Sequence, residues 1–465
     1  MLFEVRTAAN ALSRLLGTHL AYRTVTWYAF AALALAGAGV VRSQEDLYQP
    51  APAFRSLQGY IALRGGLAYT DNALLTTDNQ VQDTLVRTGF DIDYSRRGSM
   101  LDLDARGSVD SVEYLKHTFD RSTYGTLNAS ALWGHSTDLF QWLVRDTLGE
   151  VTADPFGAPT PANLETVNYL TTGPFLNFRL GEDNRLSLFG SYSKTDYQRS
   201  PYDSHSIAEG VSIAHDLSLK SSIALQANGE QFDFNDQTAA TNYKLHSVSV
   251  RYAGTLARTE ATLEAGYAWL HQESMTTGGP LLTFQLDRRI SYSTTVYLRA
   301  RSQYSSAAES IRAEMATPLM PGAIPGIATA APYTDRSLGL GWTFARARTT
   351  FSFLGTVDRE SYVGQSTFDR RDTYFEGLFE RHLRPTISAK VMARQTYQKF
   401  ANIDADIAES LVNLSLSKEF RRTGVNLYYE RRHHTASGAS SSLVTAFDEN
   451  QVGLNLTYDI VGQHP

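Results

Sequence analysis

Apolar and polar residues alternate with a period of two along most of the chain after residue 59. Leu101, Leu103 and Val109 fall on one face of such a segment, whereas Asp102 and Arg106 fall on the other. The same alternation occurs in segments 88–94, 248–252, 261–269, 387–393 and 452–458. Because side chains alternate across a β-strand, each segment predicts a strand with one apolar and one polar face. The pattern therefore predicts an all-β protein.

Connector length separates a soluble sandwich from a membrane barrel, because only the barrel has tight turns at one end and longer loops at the other. Short connectors are predicted near 96–99, 135–138, 181–184, 216–220, 255–258, 287–290, 345–348, 383–386 and 420–424. Longer ones are predicted between them, near 71–84, 112–123, 148–166, 194–204, 231–243, 270–280, 303–335, 359–372, 397–408 and 433–448. We therefore predict a transmembrane antiparallel up-and-down β-barrel of about 20 strands (18–22) over residues 60–465, with short periplasmic turns and long extracellular loops.

The first 43 residues have a different character. Arg6, Arg14 and Arg23 precede an uncharged apolar run over 27–41, and small residues follow it. This is the pattern of a secretory signal peptide over 1–43, with a retained N-terminal anchor as the alternative. Residues 44–59 are then a short periplasmic segment before the first strand. The predicted location is the outer membrane of a Gram-negative bacterium.

Composition excludes several other classes of protein. The mean hydropathy of −0.27 argues against several membrane-spanning helices, since each would need roughly 20 consecutive apolar residues. The chain has no cysteine, which rules out disulfides, zinc–thiolate sites and a thiol nucleophile. A net charge of −6 argues against nucleic acid as a partner. No metal site or cofactor is predicted.

Aromatic residues are abundant, with 25 Tyr, 22 Phe and 5 Trp. Several lie near the predicted strand ends, where aromatic girdles mark the two membrane interfaces. These are Trp133, Trp142, Tyr192, Tyr252, Tyr267, Trp269, Trp342, Tyr362, Tyr429 and Tyr458. Strand propensity alone explains their number, but it explains their bias toward strand ends less well.

The first predicted strand ends in the sequence Tyr-Thr-Asp-Asn-Ala-Leu-Leu over residues 69–75. With this ending and the run of short hairpins over the rest of the chain, the sequence resembles the outer-membrane β-barrel porins encoded with exopolysaccharide and capsule export genes. The resemblance implies a role in export or surface assembly of an exopolysaccharide. It also implies polysaccharide export proteins as partners, beside the outer-membrane lipids and lipopolysaccharide that a barrel contacts.

The polar face of each strand is expected to line the lumen, because a charge on the lipid face costs roughly 2–4 kcal/mol at the midplane. The lumen candidates are Asp91, Asp93, Asp102, Asp104, Arg106, Arg145, Arg179, Glu264, Arg299, Arg301, Lys390 and Arg394. Two interpretations stay open. These charges either select a permeant in a hydrated channel or form a salt-bridge network that stiffens the barrel.

The longest predicted connector, 303–335, contains an uncharged, proline-rich stretch over 315–334. Its prolines are incompatible with a regular helix, and its apolar residues would be unfavourably exposed in a loop surrounded by water. One hypothesis is a constriction folded into the barrel, or a docking surface for a partner, carried by Met315, Leu319, Met320, Ile324 and Ile327. The alternative is a mobile external tip.

Catalytic motifs are weak. The segment 210–214 lacks the final glycine of a nucleophile elbow, and the adjacent pair His433 and His434 lies at a predicted strand end without further ligands. We therefore predict a porin-like channel that is not an enzyme. The alternatives are a non-conducting barrel that anchors a surface-polysaccharide complex and, behind it, an outer-membrane hydrolase.

Overall fold

The computed structural model describes residues 58–135, 138–273, 275–307, 309 and 326–461. The predicted signal peptide and nearly all of the 44–59 segment lie outside these residues. So do Met315, Leu319, Met320 and Ile324. Within the described ranges, no helix is long and apolar enough to cross a membrane.

Twenty antiparallel strands make up the structure. Their bounds are β1 Gln58–Thr70, β2 Asp83–Arg96, β3 Leu101–Tyr114, β4 Ser122–Trp133, β5 Phe140–Thr152, β6 Leu164–Arg179, β7 Asn184–Tyr197, β8 Ser204–Ser218, β9 Ser221–Phe234, β10 Tyr243–Leu256, β11 Thr259–Gln272, β12 Met275–Arg289, β13 Thr294–Ser305, β14 Tyr333–Arg346, β15 Thr349–Tyr362, β16 Arg370–Arg384, β17 Ile387–Phe400, β18 Asp406–Glu419, β19 Thr423–Ser437 and β20 Phe447–Val461. Two short 3₁₀ turns, at Ser366–Phe368 and Ser441–Leu443, lie in the connectors.

Each strand pairs with its neighbours in sequence, and β1 also pairs with β20. The sheet therefore closes on itself into a barrel, which confirms the predicted fold and leaves no free edge strand. The connectors at one end of the barrel are longer than most of those at the other end, with 273–274 as the exception. We call the first end the long-loop rim and the second the short-turn rim. By the rule for outer-membrane barrels, the long-loop rim is extracellular and the short-turn rim is periplasmic.

The pairing register assigns every strand residue to one of two faces. On the outer face, apolar side chains such as Ile207, Leu225, Leu338 and Leu427 are more than half exposed, at 61%, 54%, 56% and 52%. On the inner face of β1, by contrast, Ala62 is 0% exposed. A lipid environment requires both features: closure of the sheet, which pairs backbone groups along the ladders, and an apolar outer surface.

Two expectations about individual elements are wrong. The long connector predicted at 270–280 does not exist, because β11 ends at Gln272 and β12 begins at Met275. Pro280 lies inside β12, where the ladder to β13 has not yet begun; it begins at the pair Leu282 and Ser302. A proline is tolerated on such an edge segment, so the Gly-Gly-Pro sequence at 278–280 does not mark a loop here.

Tyr362 is the second correction. It does not belong to an outer aromatic girdle: it lies on the inner face of β15, is only 6% exposed and donates a 2.6 Å hydrogen bond to Glu360. The other nine aromatic residues proposed for the girdles lie on the outer face by register.

Candidate functional site: the lumen and its long-loop rim

All twelve charged residues proposed for the lumen lie on the inner face by register. The continuous alternation from Ala62 through Asp91 and Ser108 to Thr126 shows how the face is carried from strand to strand. The set comprises Asp91, Asp93, Asp102, Asp104, Arg106, Arg145, Arg179, Glu264, Arg299, Arg301, Lys390 and Arg394. What they do in the lumen is a separate question.

Most of these residues contact partners from neighbouring strands. Arg106 contacts Asp93 at 3.0 Å, and Arg301 contacts Asp335 at 2.6 Å. The remaining close pairs are Arg64 with Asp91 at 2.9 Å, Arg97 with Asp104 at 2.8 Å, Arg299 with Asp287 at 2.9 Å, and Arg394 with Glu376 at 2.9 Å. Glu264 accepts a 2.6 Å hydrogen bond from Ser249. Charges that face the lumen are thus mostly held in place by cross-strand contacts.

Sequence reasoning missed a deeply buried group of charges on the inner face. Arg370 at the start of β16 is 5% exposed and contacts Glu360 at 2.8 Å and Asp372 at 3.1 Å. Four consecutive charged residues, 369–372, obscure the alternation at this strand end. The signal that could have found the pair is parity, since Arg370 and Asp372 share a face with Tyr374 and Glu376.

The long-loop rim is partly covered from within. Residues 326–332 are the described end of the long β13–β14 connector, and the first three of them contact β5 and β6, far from β13 and β14. Ile327 is 2% exposed and forms a parallel bridge with Thr152 at the end of β5. The Thr152 N–H donates to the Gly326 carbonyl at 2.9 Å, and the Ala328 N–H donates to the Thr152 carbonyl at 3.0 Å. Ala328 packs against Val151 and Val167.

The same segment reaches the opposite wall within a few residues. The Thr329 hydroxyl donates to the Gln365 side chain at 2.8 Å, and the Val363 N–H donates to the Pro332 carbonyl at 2.9 Å. Residues 326–332 therefore connect the β5–β6 wall with the β14–β15 wall across the barrel.

A second connector covers another part of the rim. In residues 153–163, between β5 and β6, the ring of Phe156 lies 4.7 Å from that of Phe400 on β17. Ala158 packs with Leu75 and Phe447, from the β1–β2 connector and β20. We call residues 153–163 and 326–332 together the loop lid. Its two parts meet at Thr152.

Beside the lid, at the long-loop rim, one sector of the barrel is apolar. Phe232, Phe234, Ala240, Tyr243, Ala268, Leu270 and Tyr304 form what we call the aromatic cluster. The rings of Phe232 and Tyr243 stack with their centroids 4.5 Å apart, and Leu270 is 0% exposed. Such packing resembles the core of a soluble domain more than the wall of a water-filled pore.

Residues 69–75, which carry the family resemblance, have a clear structural role. The Thr70 hydroxyl donates to Glu449 at 2.8 Å, and Asp71 accepts hydrogen bonds from the backbone and side chain of Asn450 at 2.7 and 2.8 Å. Asn72, fully buried, donates to the Asp448 carbonyl at 2.8 Å. These contacts fasten the end of β1 to the start of β20, where the barrel closes.

An external cleft of about 340 Å³ lies at the long-loop rim, lined in part by Gln237, Thr238, Gln272 and Gln365. Beside it, in the connector 235–242, hydrogen bonds from the side chain and backbone of Thr238 lower the pKa of the Asp236 carboxyl. Among the described residues, no group of three or more histidine, aspartate or glutamate side chains is arranged to hold a metal ion.

No protein-family model matches the sequence, and no curated protein matches it either. Solved structures are similar at low identity. The siderophore receptor PirA from Acinetobacter baumannii is 8% identical, with a TM-score of 0.45 over 87% of this chain and 81% of that one. Pseudomonas aeruginosa OpdQ is 10% identical, with a TM-score of 0.37 over 88% of this chain and 100% of that one.

A third similar structure, OccK5 (OpdH) from Pseudomonas aeruginosa, is 12% identical, with a TM-score of 0.36 over 87% of this chain and 98% of that one. Likeness at this distance transfers no function. The closed barrel and its apolar outer band define the class on their own: the chain is a transmembrane β-barrel protein. Closed barrels with an even number of strands and an apolar outer band are typical of the outer membrane of Gram-negative bacteria, which is the location that the fold indicates.

Proposed function

We propose that this protein is an outer-membrane channel whose extracellular end is closed by the loop lid. The observation that carries the proposal is the inner face of the barrel, which is lined with charged side chains over many strands. The lid above it is not part of any strand and is attached to the wall by a few hydrogen bonds. A wet, charged lumen is the arrangement by which porins conduct hydrophilic solutes. No catalytic role is part of the proposal.

The lid is the element that has to move for conduction. Residues 326–332 are attached to the β5 wall by two backbone hydrogen bonds at Thr152 and by the packing of Ala328 on Val151 and Val167. These contacts are few compared with a strand ladder, and separating them leaves the barrel wall intact. The channel proposal therefore includes the prediction that this connector narrows the lumen.

Single-channel recording in planar bilayers tests the proposal. We expect little or brief current from the full chain and larger, longer openings from a variant in which residues 307–331 are replaced by a short Gly-Ser linker. A second variant, Ala328→Asp, places a carboxylate against Val151 and Val167 and is expected to act in the same direction. Because β13 ends at Ser305 and β14 begins at Tyr333, the linker variant keeps every strand.

Absence of current from all three proteins, with the barrel folded, would contradict the channel. It would favour the second candidate, a non-conducting barrel that anchors a surface complex. One observation favours that candidate: the lid and the aromatic cluster close much of the long-loop rim. Heat-modifiable migration on a gel establishes that each variant is folded.

A link to export of an exopolysaccharide rests on the resemblance of the sequence alone and stays a prediction. So does the partnership with polysaccharide export proteins. Passage of a fluorescent oligosaccharide out of proteoliposomes that contain the linker variant would support the link, and retention of the oligosaccharide despite ion conduction would count against it.

A further inference from the structure

Single arginines of the lumen are repeatedly shared between two carboxylates. Arg64 on β1 contacts Asp91 on β2 at 2.9 Å and Asp110 on β3 at 2.6 Å. The guanidinium carries one positive charge and the two carboxylates carry two negative ones. The group as a whole therefore keeps a net negative charge on the inner wall.

The same arrangement recurs on β15 and β16. Arg370 lies between Glu360 on β15 and Asp372, its neighbour on β16, at 2.8 and 3.1 Å. All three side chains are at most 9% exposed. The Oδ1 atom of Asp372 is buried and has no hydrogen-bond partner among the described residues. By formal charge, the two carboxylates again exceed the single guanidinium by one.

A third group is centred on Arg432 of β19, which contacts Glu409 on β18 at 3.3 Å and Glu449 on β20 at 3.8 Å. His434 also contacts Glu409, at 3.1 Å, so this group keeps its surplus only while the imidazole is neutral. We call the groups centred on Arg64, Arg370 and Arg432 the shared-arginine triads.

A further carboxylate on the inner face, that of Glu430, points the same way. Glu430 accepts a 3.0 Å hydrogen bond from the side-chain amide of Asn413. Because the amide is neutral, this contact does not compensate the negative charge of Glu430. On the basic side, Arg87 likewise donates to a neutral group, Gln451, at 3.2 Å.

We propose that the shared-arginine triads give the lumen an excess of fixed negative charge, which makes the pathway selective for cationic over anionic solutes. This inference rests on the proposed channel function. Carboxylates along an aqueous path raise the local concentration of cations and repel anions. The class of permeant is then a cationic or uncharged hydrophilic solute, and a polyanion would be disfavoured.

The test is the reversal potential across a planar bilayer with a KCl gradient, recorded with the linker variant described above. We expect a reversal potential whose sign is that of a pore selective for potassium over chloride. Asp110→Asn and Glu449→Gln each remove the surplus charge of one triad and retain the arginine with its other carboxylate. Each is expected to lower the ratio of potassium to chloride permeability by roughly twofold to fivefold.

The matched control is Glu209→Gln. Glu209 lies on the outer face of β8, opposite Gly190 and Gly229, so the same loss of charge occurs outside the lumen. We expect no change of reversal potential in this control. Current without a cation preference, or an equal shift in the control, would overturn the inference alone. Absence of current from every folded variant would overturn the channel and the inference with it.

Discussion

Two sectors of the inner wall use the same strand pattern for opposite purposes. In the aromatic cluster, on β9 to β13, inward side chains pack into an apolar mass that leaves Leu270 0% exposed. In the sector of the triads around Arg64 and Arg432, inward side chains are charged, and those of Arg64 and Asp110 are about one third exposed. Alternation therefore defines which residues point inward, but the residue types decide whether a sector is filled or wet.

The two sectors also differ in what stabilises them. The aromatic cluster gains from removing apolar surface from water, as a soluble core does. The triads depend on mutual compensation, since a buried charge without its partner is strongly destabilising. Substitutions in the two sectors should therefore differ in how much stability they remove and in which second substitution restores it. The four predictions below run from the largest effect to the smallest.

The largest effect is expected for Arg370→Ala. The substitution leaves Glu360 and Asp372 buried without their guanidinium and should lower the free energy of unfolding by about 3–5 kcal/mol. Urea unfolding in detergent or lipid, followed by tryptophan fluorescence, measures it. The triple variant that adds Glu360→Gln and Asp372→Asn should recover much of the loss. No recovery would show that the arginine acts through packing rather than charge.

Leu270→Ala should cost about 2–5 kcal/mol, because it opens a cavity in the aromatic cluster. The control is Leu263→Ala on the same strand, where the side chain faces outward and is 41% exposed. Lipid or detergent fills the space that the smaller residue leaves there, so a smaller loss is expected. The same unfolding experiment compares the two, and equal losses would contradict a packed interior on this side.

Tyr374→Phe removes a 2.6 Å hydrogen bond from the tyrosine hydroxyl to Glu376 on the charged side of the lumen. Hydrogen bonds to charged groups contribute roughly 1.5–3 kcal/mol, and we expect a loss in that range. Tyr397→Phe on the neighbouring strand changes an outward-facing ring that is 50% exposed, and it should be nearly neutral. A neutral result for both would mean that the Glu376 contact adds nothing to stability.

The smallest effect is expected on the outer face. Glu209 lies there among apolar neighbours on β8, and acidic side chains on the lipid face cost less than basic ones. Glu209→Gln should therefore raise the free energy of unfolding by less than ~1 kcal/mol. A clear decrease would show that the carboxylate has a favourable partner in the surrounding membrane.

The sequence predicted the fold because a barrel repeats one rule. Period-two alternation and alternating connector lengths gave about 20 strands, and the structure has 20. The connector predicted at 270–280 is wrong, because the edge position of Pro280 removes the cost of its missing N–H and lets β12 include the Gly-Gly-Pro sequence. Tyr362 was misplaced because position near a strand end does not by itself reveal which face a residue occupies.

The contacts within the lumen could not be predicted from the same pattern. Parity places Asp91 and Arg64 on one face, but only the register shows that Arg64 also reaches Asp110 two strands away. The docking of Ile327 on Thr152 joins residues far apart in the chain and leaves no periodic signal. Long-range contacts of this kind depend on the shape of the closed barrel.

The fastening of β1 to β20 has a consequence for the order of assembly. Thr70 and Glu449 are 379 residues apart in the chain, so their encounter carries the largest loop-closure entropy of any strand pair. Hairpins between sequence neighbours have no such delay and form early. The contacts of Thr70, Asp71 and Asn72 then act as a clasp on the seam that closes last, and weakening them should slow completion of the barrel more than it alters the finished wall.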